Sequence, residues 1–144
     1  MSSTSTITGN RNECMKVSTK GRYALHLMID VARNQESGPV SLKDISLRQN
    51  ISMKYLEQIA SRMTKADLLQ SVRGAQGGYR LTRPAEEITA GHILRAGEGD
   101  LAPISCLLTG CDHSESCDVA GFWHGMYEAL NMYTDSVTLR DLIG

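Results

Sequence analysis

Three cysteines lie within twelve residues of this chain, Cys106, Cys111 and Cys117, in the pattern C-x4-C-x5-C. Cysteine thiolates are good ligands for iron–sulfur clusters and for zinc, and both kinds of site ordinarily have four ligands. The spacing therefore predicts a metal or iron–sulfur site with three cysteine ligands and a fourth ligand from elsewhere. The local candidates are His113, between the second and third cysteines, and His124, seven residues after the third; an external thiol or a water molecule is the alternative.

The start of the chain bears on the redox environment of these thiols. The first fourteen residues, MSSTSTITGNRNEC, contain no apolar segment of the kind that signal peptides carry, and no apolar run in the sequence is long enough to cross a membrane. A cytoplasmic location is therefore expected, and reduced thiols there favour metal or redox chemistry over structural disulfides. The same residues are rich in Ser and Thr and are expected to be disordered, with Cys14 incidental and Met15 as an alternative start.

Charge is distributed unevenly along the chain. Residues 1–85 carry 13 Lys and Arg against 6 Asp and Glu, whereas residues 86–144 carry 2 Lys and Arg against 10 Asp and Glu. A basic first part is typical of a region that contacts the phosphates of a nucleic acid. A chance distribution of surface charge is the alternative.

Three capped helices are predicted in the first part. Ser18 can cap a helix that runs to about Asn34, a short helix is predicted at roughly 42–49, and Ser52 opens a third helix. The apolar residues of the third helix that are predicted to face inward are Leu56, Ile59, Ala60 and Met63. Its other face is polar and partly basic. A short helix, a tight turn and a capped helix with such a face indicate a helix-turn-helix unit.

A glycine-rich hairpin is predicted directly after the third helix. The segments Leu68–Arg73 and Tyr79–Leu81 flank the turn GAQGG. The polar residues that frame its tip are Arg73, Gln76 and Arg80. Glycine allows close approach to a DNA backbone, and arginine neutralises phosphates or enters the minor groove, so the hairpin is typical of the wing of a winged helix. A phosphate-binding loop is disfavoured, because no helix follows the glycines directly.

Two more helices are predicted in the acidic part. Thr89 can cap a short helix, AGHILRAG, and a long helix is predicted from near Val119. The apolar residues that recur along the long helix are Trp123, Met126, Tyr127, Leu130, Tyr133 and Val137. Such a helix after a winged helix commonly forms a dimer arm, and packing within one chain is the alternative. The last residues, Thr138 through Asp141, are expected to form a capped turn that folds back.

Four segments of the sequence resemble a known family. They resemble winged-helix transcription regulators of the IscR, NsrR and CymR type, the Rrf family: VSTKGRYALHLMIDVA, GPVSLKDISLRQNIS, KYLEQIASRMTKADLLQSVRGAQGGYRLTRPAEEITAGHILRAGEGDLAP and SVTLRDLIG. Within them, YLEQ and RGAQGGYRL are the parts specific for the family. The resemblance covers Met15 to Gly144 and is greatest to IscR-like and CymR-like members. It implies a mainly α fold with a small β-hairpin wing and a long C-terminal dimerisation helix. It also implies a homodimer that binds palindromic operator DNA. An iron–sulfur or zinc enzyme is disfavoured by the sequence itself, because no Ser/His/Asp, paired-carboxylate or nucleotide-binding arrangement stands out and the glycines belong to a hairpin.

The resemblance also assigns DNA-contacting positions, with the third helix in the major groove and the wing in the minor groove. The DNA-binding residues predicted in this way are Ser52, Lys54, Tyr55, Glu57, Gln58, Arg62, Arg73, Gln76 and Arg80. Glu57 stands out, because a carboxylate among phosphates is unfavourable unless it accepts a hydrogen bond from a cytosine amino group. A salt bridge from Glu57 to Lys54 or Arg62 is the alternative.

The cysteine segment departs from the family at the fourth ligand. IscR-like members have a His three residues after the last Cys, where this chain has Ala120, and NsrR members use an Asp of the partner subunit, where this chain has Arg22. Three interpretations stay open. One is a redox-labile iron–sulfur cluster, with 2Fe-2S favoured over 4Fe-4S; the others are a cluster-free regulator, and a zinc or thiol–disulfide site.

The expected domain organisation has four parts. It comprises a disordered extension (1–14), a winged helix-turn-helix DNA-binding domain (15–85), a connecting helix with the cysteine-containing sensor loop (86–118), and a dimerisation helix with a C-terminal turn (119–144). The expected function is a transcription regulator that senses iron–sulfur or redox status. The alternative is a cluster-free, CymR-like repressor of cysteine and sulfur metabolism, controlled by a partner protein such as an enzyme of cysteine metabolism.

Overall fold

The fold is mainly helical, with one two-stranded hairpin, in the part of the chain that the computed structural model describes: residues 18–99, 101–102 and 119–144. In chain order the elements are α1 (Thr19–Asn34), α2 (Leu42–Gln49), α3 (Met53–Lys65), β1 (Leu69–Val72), β2 (Gly78–Leu81), α4 (Ala90–Glu98), α5 (Ala120–Ser136) and α6 (Leu139–Ile143). Short 3-10 turns follow α1 and precede α4. The predicted fold class is confirmed. No helix within these described ranges is both long and apolar enough to span a bilayer.

Side-chain caps determine where the first three helices begin. Ser18, Ser41 and Ser52 each stand directly before a helix and accept a hydrogen bond from a backbone N–H group in its first turn. These bonds satisfy amide groups that have no partner within the helix. Asn50 ends α2 with a φ of 54°, the left-handed conformation that asparagine tolerates, and so produces the tight turn into α3. The predicted helix-turn-helix arrangement is confirmed.

The hairpin is anchored on the segment between α1 and α2. β1 and β2 are antiparallel, with Leu69 opposite Leu81. On its other side β2 contacts Val40: the Tyr79 N–H donates to the Val40 carbonyl at 2.8 Å, and the Val40 N–H donates to the Tyr79 carbonyl at 2.9 Å. These bonds attach β2 to the segment just before α2. The position of the hairpin relative to the helix-turn-helix unit is therefore set by this contact as well as by the pairing of its own two strands.

One hydrophobic core joins α1, α2, α3 and α4. These helices, together with the hairpin, are here called the head. The four α3 residues predicted to face inward are all buried in it: Leu56, Ile59, Ala60 and Met63. Ile93 of α4 and Leu139 of α6 are also fully buried there. Leu47 of α2, by contrast, is 74% exposed, because α2 is short and buries only one residue, Ile45. The core thus extends past the hairpin to the end of the chain.

The last helix folds back onto the start of α4, as predicted. The Thr138 hydroxyl accepts from the Asp141 N–H at 3.1 Å, and the Asp141 carboxylate accepts from the Thr138 N–H at 3.0 Å. These reciprocal bonds form a capping box that starts α6. The Leu139 N–H then donates to the Ile88 carbonyl at 2.7 Å. The chain end is therefore tied to the head by backbone pairing as well as by burial.

Candidate nucleic-acid interface

The outer face of α3 is polar and open to solvent. Its exposed residues include Ser52, Lys54, Glu57, Gln58, Ser61 and Arg62. Ammonium, amide and hydroxyl groups of this kind form hydrogen bonds with phosphates and with base edges when a helix enters the major groove. The structure therefore brings the predicted α3 residues onto one accessible face, opposite the buried residues of the same helix.

Tyr55 is held in place on that face by α1. Its ring meets the ring of Tyr23 edge to face, with centroids 6.0 Å apart. Aromatic pairs favour this geometry, because the positive edge of one ring meets the negative face of the other. Tyr55 remains 49% exposed. The contact therefore orients the ring and leaves about half of the residue available to a ligand.

Glu57 is exposed and has no cationic partner among the described residues. Ion pairs within 4.0 Å in those residues join Arg48 to Asp30, Arg95 to Asp135 and Arg140 to Glu86. The alternative in which Glu57 pairs with Lys54 or Arg62 is therefore not the observed arrangement. A free carboxylate on this face repels phosphates and can accept a hydrogen bond from a base amino group.

The hairpin has the shape required of a wing. Gly74 adopts a φ of 122°, which a residue with a side chain rarely adopts. Gly78 is needed for a different reason, since a Cβ there would lie 2.4 Å from the Val40 carbonyl oxygen. Arg73 and Gln76 are both exposed at the tip. The tip therefore offers a cation and an amide on a backbone that can approach a groove closely.

Arg80 of β2 differs from the other predicted wing residues, because it is only partly exposed. Its Nε is buried and has no hydrogen-bond partner among the described residues. A buried guanidinium N–H without a partner is unfavourable by itself. Because Nε is shielded from solvent, a phosphate of bound DNA would have to meet this guanidinium through Nη1 or Nη2.

The predicted metal ligands fall mostly outside the described residues. Cys106, Cys111, Cys117 and His113 lie in the segment 103–118, which the structure does not describe. His124 is exposed on α5. Within residues 18–99, 101–102 and 119–144, no group of three His, Cys, Asp or Glu side chains is placed to hold a metal ion. Of the predicted ligands, His124 is therefore the one that the described residues include.

α5 exposes large apolar residues in the single chain. Met132 is 75% exposed and Tyr133 70% exposed, and Phe122 is exposed as well. Only Thr134 is buried among the residues of this helix. The Arg95 guanidinium of α4 donates to Asn131 at 3.1 Å and pairs with Asp135, which fixes α5 against the head. An oriented helix with an uncovered apolar surface is typical of a protein–protein contact.

Sequence reasoning missed the polar contacts between distant parts of the chain, of which three join the helices that carry the candidate interface. Asp30 binds Arg48, Arg62 binds the carbonyl of Gly97, and the Glu98 carboxylate binds the start of α1. The partners are 18, 35 and 77 residues apart respectively. No local pattern marks such pairs, because they form only when the helices pack together.

Comparison with known proteins gives a consistent set of relatives. The family model described as "Rrf2: Iron-dependent Transcriptional regulator" matches residues 17–144. The HTH-type transcriptional regulator IscR of Klebsiella pneumoniae is 41% identical over 130 residues, covering 90% of this chain and 80% of that protein. The structure of CymR, the global cysteine regulator of B. subtilis, matches with a TM-score of 0.76 at 42% identity, covering 89% of this chain and 95% of that one. T. potens IscR matches with a TM-score of 0.70 at 38% identity, covering 89% and 85%.

Proposed function

The chain belongs to the Rrf2 family of transcription regulators, and we propose that it acts as a homodimer on palindromic operator DNA. The observation that carries the proposal is the exposed polar face of α3, which lies opposite the residues that fix α3 in the core. A helix-turn-helix unit offers such a face to the major groove, and a twofold dimer matches a twofold operator. The comparisons support DNA binding, since the matched proteins are transcription regulators rather than enzymes.

We propose that the contacts divide by chemistry. Lys54 neutralises phosphate, while Glu57 and Gln58 address base edges, where a carboxylate accepts from cytosine and an amide pairs with adenine. Ser52 and Tyr55 contact the backbone at the start of the helix. In the wing, Arg73 and Gln76 reach the minor groove and Arg80 supplies a phosphate contact. The exposure of these side chains, Arg80 excepted, supports the division.

The dimer is proposed to form through α5. Exposed Met132, Tyr133 and Phe122 present apolar surface that one chain leaves in water. Covering such surface is favourable by about 25 cal/mol per Å² of apolar area. A twofold operator is matched by a twofold dimer of the protein. The surface proposed to cover α5 is therefore α5 of a second copy of the chain.

The sensed signal is proposed to act at the cysteine segment. Cys106, Cys111 and Cys117 would hold an iron–sulfur cluster, with His124 or His113 as the fourth ligand. The support is the run of three thiols together with a family description that names iron dependence. A cluster of this kind supplies a thiolate-bound centre whose occupancy and charge change with oxidation. The exposure of His124 leaves its imidazole accessible to such a group.

A second function is a cluster-free regulator of cysteine metabolism. The similarity to a protein described as the global cysteine regulator favours it. In this case the effector is a partner protein, such as an enzyme of cysteine metabolism, and the three thiols hold no metal.

Two experiments test these proposals. Selection from a random duplex library should enrich a palindrome with two half-sites; a pool without enrichment contradicts operator binding. Iron and sulfide analysis after anaerobic purification decides the effector. Brown protein with bound iron and sulfide, lost in Cys106→Ala, supports the cluster, and colourless, iron-free wild type supports the partner. Full cluster content in both His113→Ala and His124→Ala would exclude these histidines as ligands.

A further inference from the structure

Arg62 of the recognition helix α3 is bonded to another helix of the same chain. Its Nη1 donates to the carbonyl oxygen of Gly97, near the end of α4, at 3.2 Å. The last four carbonyl groups of a helix have no partner within it, and this end of the helix carries a partial negative charge. A guanidinium is a suitable donor there, because it satisfies the carbonyl and complements the helix dipole.

The next residue of α4 makes the complementary contact with α1. The Glu98 carboxylate accepts from the Ser18 N–H at 2.7 Å, from the Ser18 hydroxyl at 2.5 Å and from the Gly21 N–H at 2.8 Å. The first turn of α1 has no acidic residue of its own, so Glu98 supplies the anion that a helix N-terminus favours. A Cβ at Gly21 would lie 2.7 Å from the Glu98 carboxylate oxygen, so the glycine provides the room.

These contacts form one corner of the head, here called the cap junction: Arg62, Gly97, Glu98, Ser18 and Gly21. Arg62 of α3 caps the C-terminal end of α4, and Glu98 at that end of α4 caps the N-terminal end of α1. The same helix binds α5 through the pairing of Arg95 with Asp135. The recognition helix is therefore tied, through α4, to the helix that is proposed to hold the two heads together.

We infer that Arg62 is a positioning residue for DNA recognition: it docks α3 on α4 instead of neutralising a phosphate. The inference rests on the proposed DNA-binding function and assigns one of its exposed cations a different role. Loss of the Arg62 contact is therefore expected to affect binding to operator DNA and binding to random duplex differently. A loosened α3 presents its side chains poorly to base edges, which affects operator binding, whereas binding to random duplex depends on the number of phosphate contacts.

The test compares Arg62→Met with Lys54→Met, which removes a cation from the proposed contact face. Affinities for a selected operator and for a random duplex are measured over a range of salt concentrations. Loss of a charge-assisted hydrogen bond should lower the operator affinity of Arg62→Met by about tenfold, with unchanged random-duplex affinity and salt dependence. Lys54→Met should weaken binding to both duplexes and reduce the slope of log K against log salt by about 1.8, because each dimer loses two phosphate contacts worth about 0.9 each.

Three results overturn the inference: a slope reduction in Arg62→Met equal to that of Lys54→Met, a parallel loss on both duplexes, or no loss on either. Melting temperatures show whether Arg62→Met is folded. If it is not, Glu98→Gln replaces it as the decisive variant, because the Glu98 carboxylate, beside Gly97 at the end of α4, caps the start of α1 within the same cap junction, and the same selective loss is expected. Unchanged operator affinity in that variant also overturns the inference. A wild type with no operator preference contradicts the proposed function itself and is distinguishable from all of these results.

Discussion

At the scale of single residues, Glu57 is the side chain on α3 with the most specific expected effect on DNA recognition. It is exposed and has no ion-pair partner among the described residues. Its negative charge repels nearby phosphates whatever the base sequence, whereas its hydrogen-bonding capacity serves one kind of base. The carboxylate should therefore lower affinity for DNA in general and raise the preference for sites with cytosine at one position.

Glu57→Ala tests that role. The substitution should strengthen binding to random duplex and reduce discrimination at the cytosine position by about five- to 150-fold, since a good base contact is worth about 1–3 kcal/mol. Competition binding with operators substituted at each position measures this. Glu128→Ala, which removes an exposed carboxylate of α5 outside α3 and the hairpin, is the control and should change neither quantity. Weaker binding to every duplex in Glu57→Ala would contradict the assignment.

Asp30 is a buried carboxylate that joins α1 to α2. It is 2% exposed, and it accepts from Arg48 Nη2 at 2.7 Å, from Arg48 Nε at 3.0 Å and from Gln49 at 3.0 Å. Burial alone raises the pKa of a carboxyl group. Here the hydrogen bonds from Arg48, Gln49 and Asn34, together with the charge of Arg48, outweigh burial and hold the pKa of Asp30 below its usual range.

The lowered pKa predicts a pH dependence of stability. The contribution from Asp30 is complete above its unfolded pKa of about 3.9 and is lost as the pH falls through the lower native value. Arg48→Met should reduce the free energy of unfolding near neutral pH by about 2 kcal/mol. It should also move acid unfolding to higher pH, because the native pKa of Asp30 rises. Urea unfolding across the acid range measures both effects.

Arg33→Met is the matched control for that experiment, since Arg33 is an exposed arginine of α1. It should change the unfolding free energy by less than about 0.5 kcal/mol. Acid unfolding at the same pH in Arg48→Met and wild type would contradict the role given to the Asp30 network.

At the scale of elements, the hairpin depends on its attachment to Val40. That attachment requires a backbone close to Gly78, where a Cβ would lie 2.4 Å from the Val40 carbonyl oxygen. Gly78→Ala should therefore displace β2, weaken the wing contribution to DNA binding and lower stability by about 1–3 kcal/mol. Thermal unfolding and operator titration measure the two effects. Ser71→Ala, at an exposed residue of β1, should leave both nearly unchanged; equal behaviour of the two variants would show that the close approach is unimportant.

The elements also show what local sequence determines. The starts of α1, α3 and α6 were predictable, because Ser18, Ser52 and Thr138 cap their helices with bonds to the next few residues. The exposure of Leu47 was not, since the burial of a residue on a short helix depends on what packs against it. The contacts of Arg62 and Glu98 were equally inaccessible, because their partners lie far away in sequence.

At the scale of the whole molecule, the exposed apolar surface of α5 predicts a homodimer. Met132→Glu should yield a monomer, because a carboxylate in an apolar interface loses its hydration without gaining a partner. Sedimentation or light scattering measures the mass. Glu128→Gln, at an exposed residue of the same helix, should remain a dimer. A dimeric Met132→Glu variant, or a monomeric wild type, would contradict the proposed interface.

The central claim is sequence-specific binding of palindromic DNA, and the ratio of two affinities tests it most directly. The wild-type protein is titrated against a selected palindrome and against a scrambled duplex of the same composition, at low and at physiological salt. Preference for the palindrome should reach about a thousandfold or more, with both affinities falling steeply as salt rises. Equal affinity for the two duplexes at physiological salt would contradict the assignment of α3 as a recognition helix.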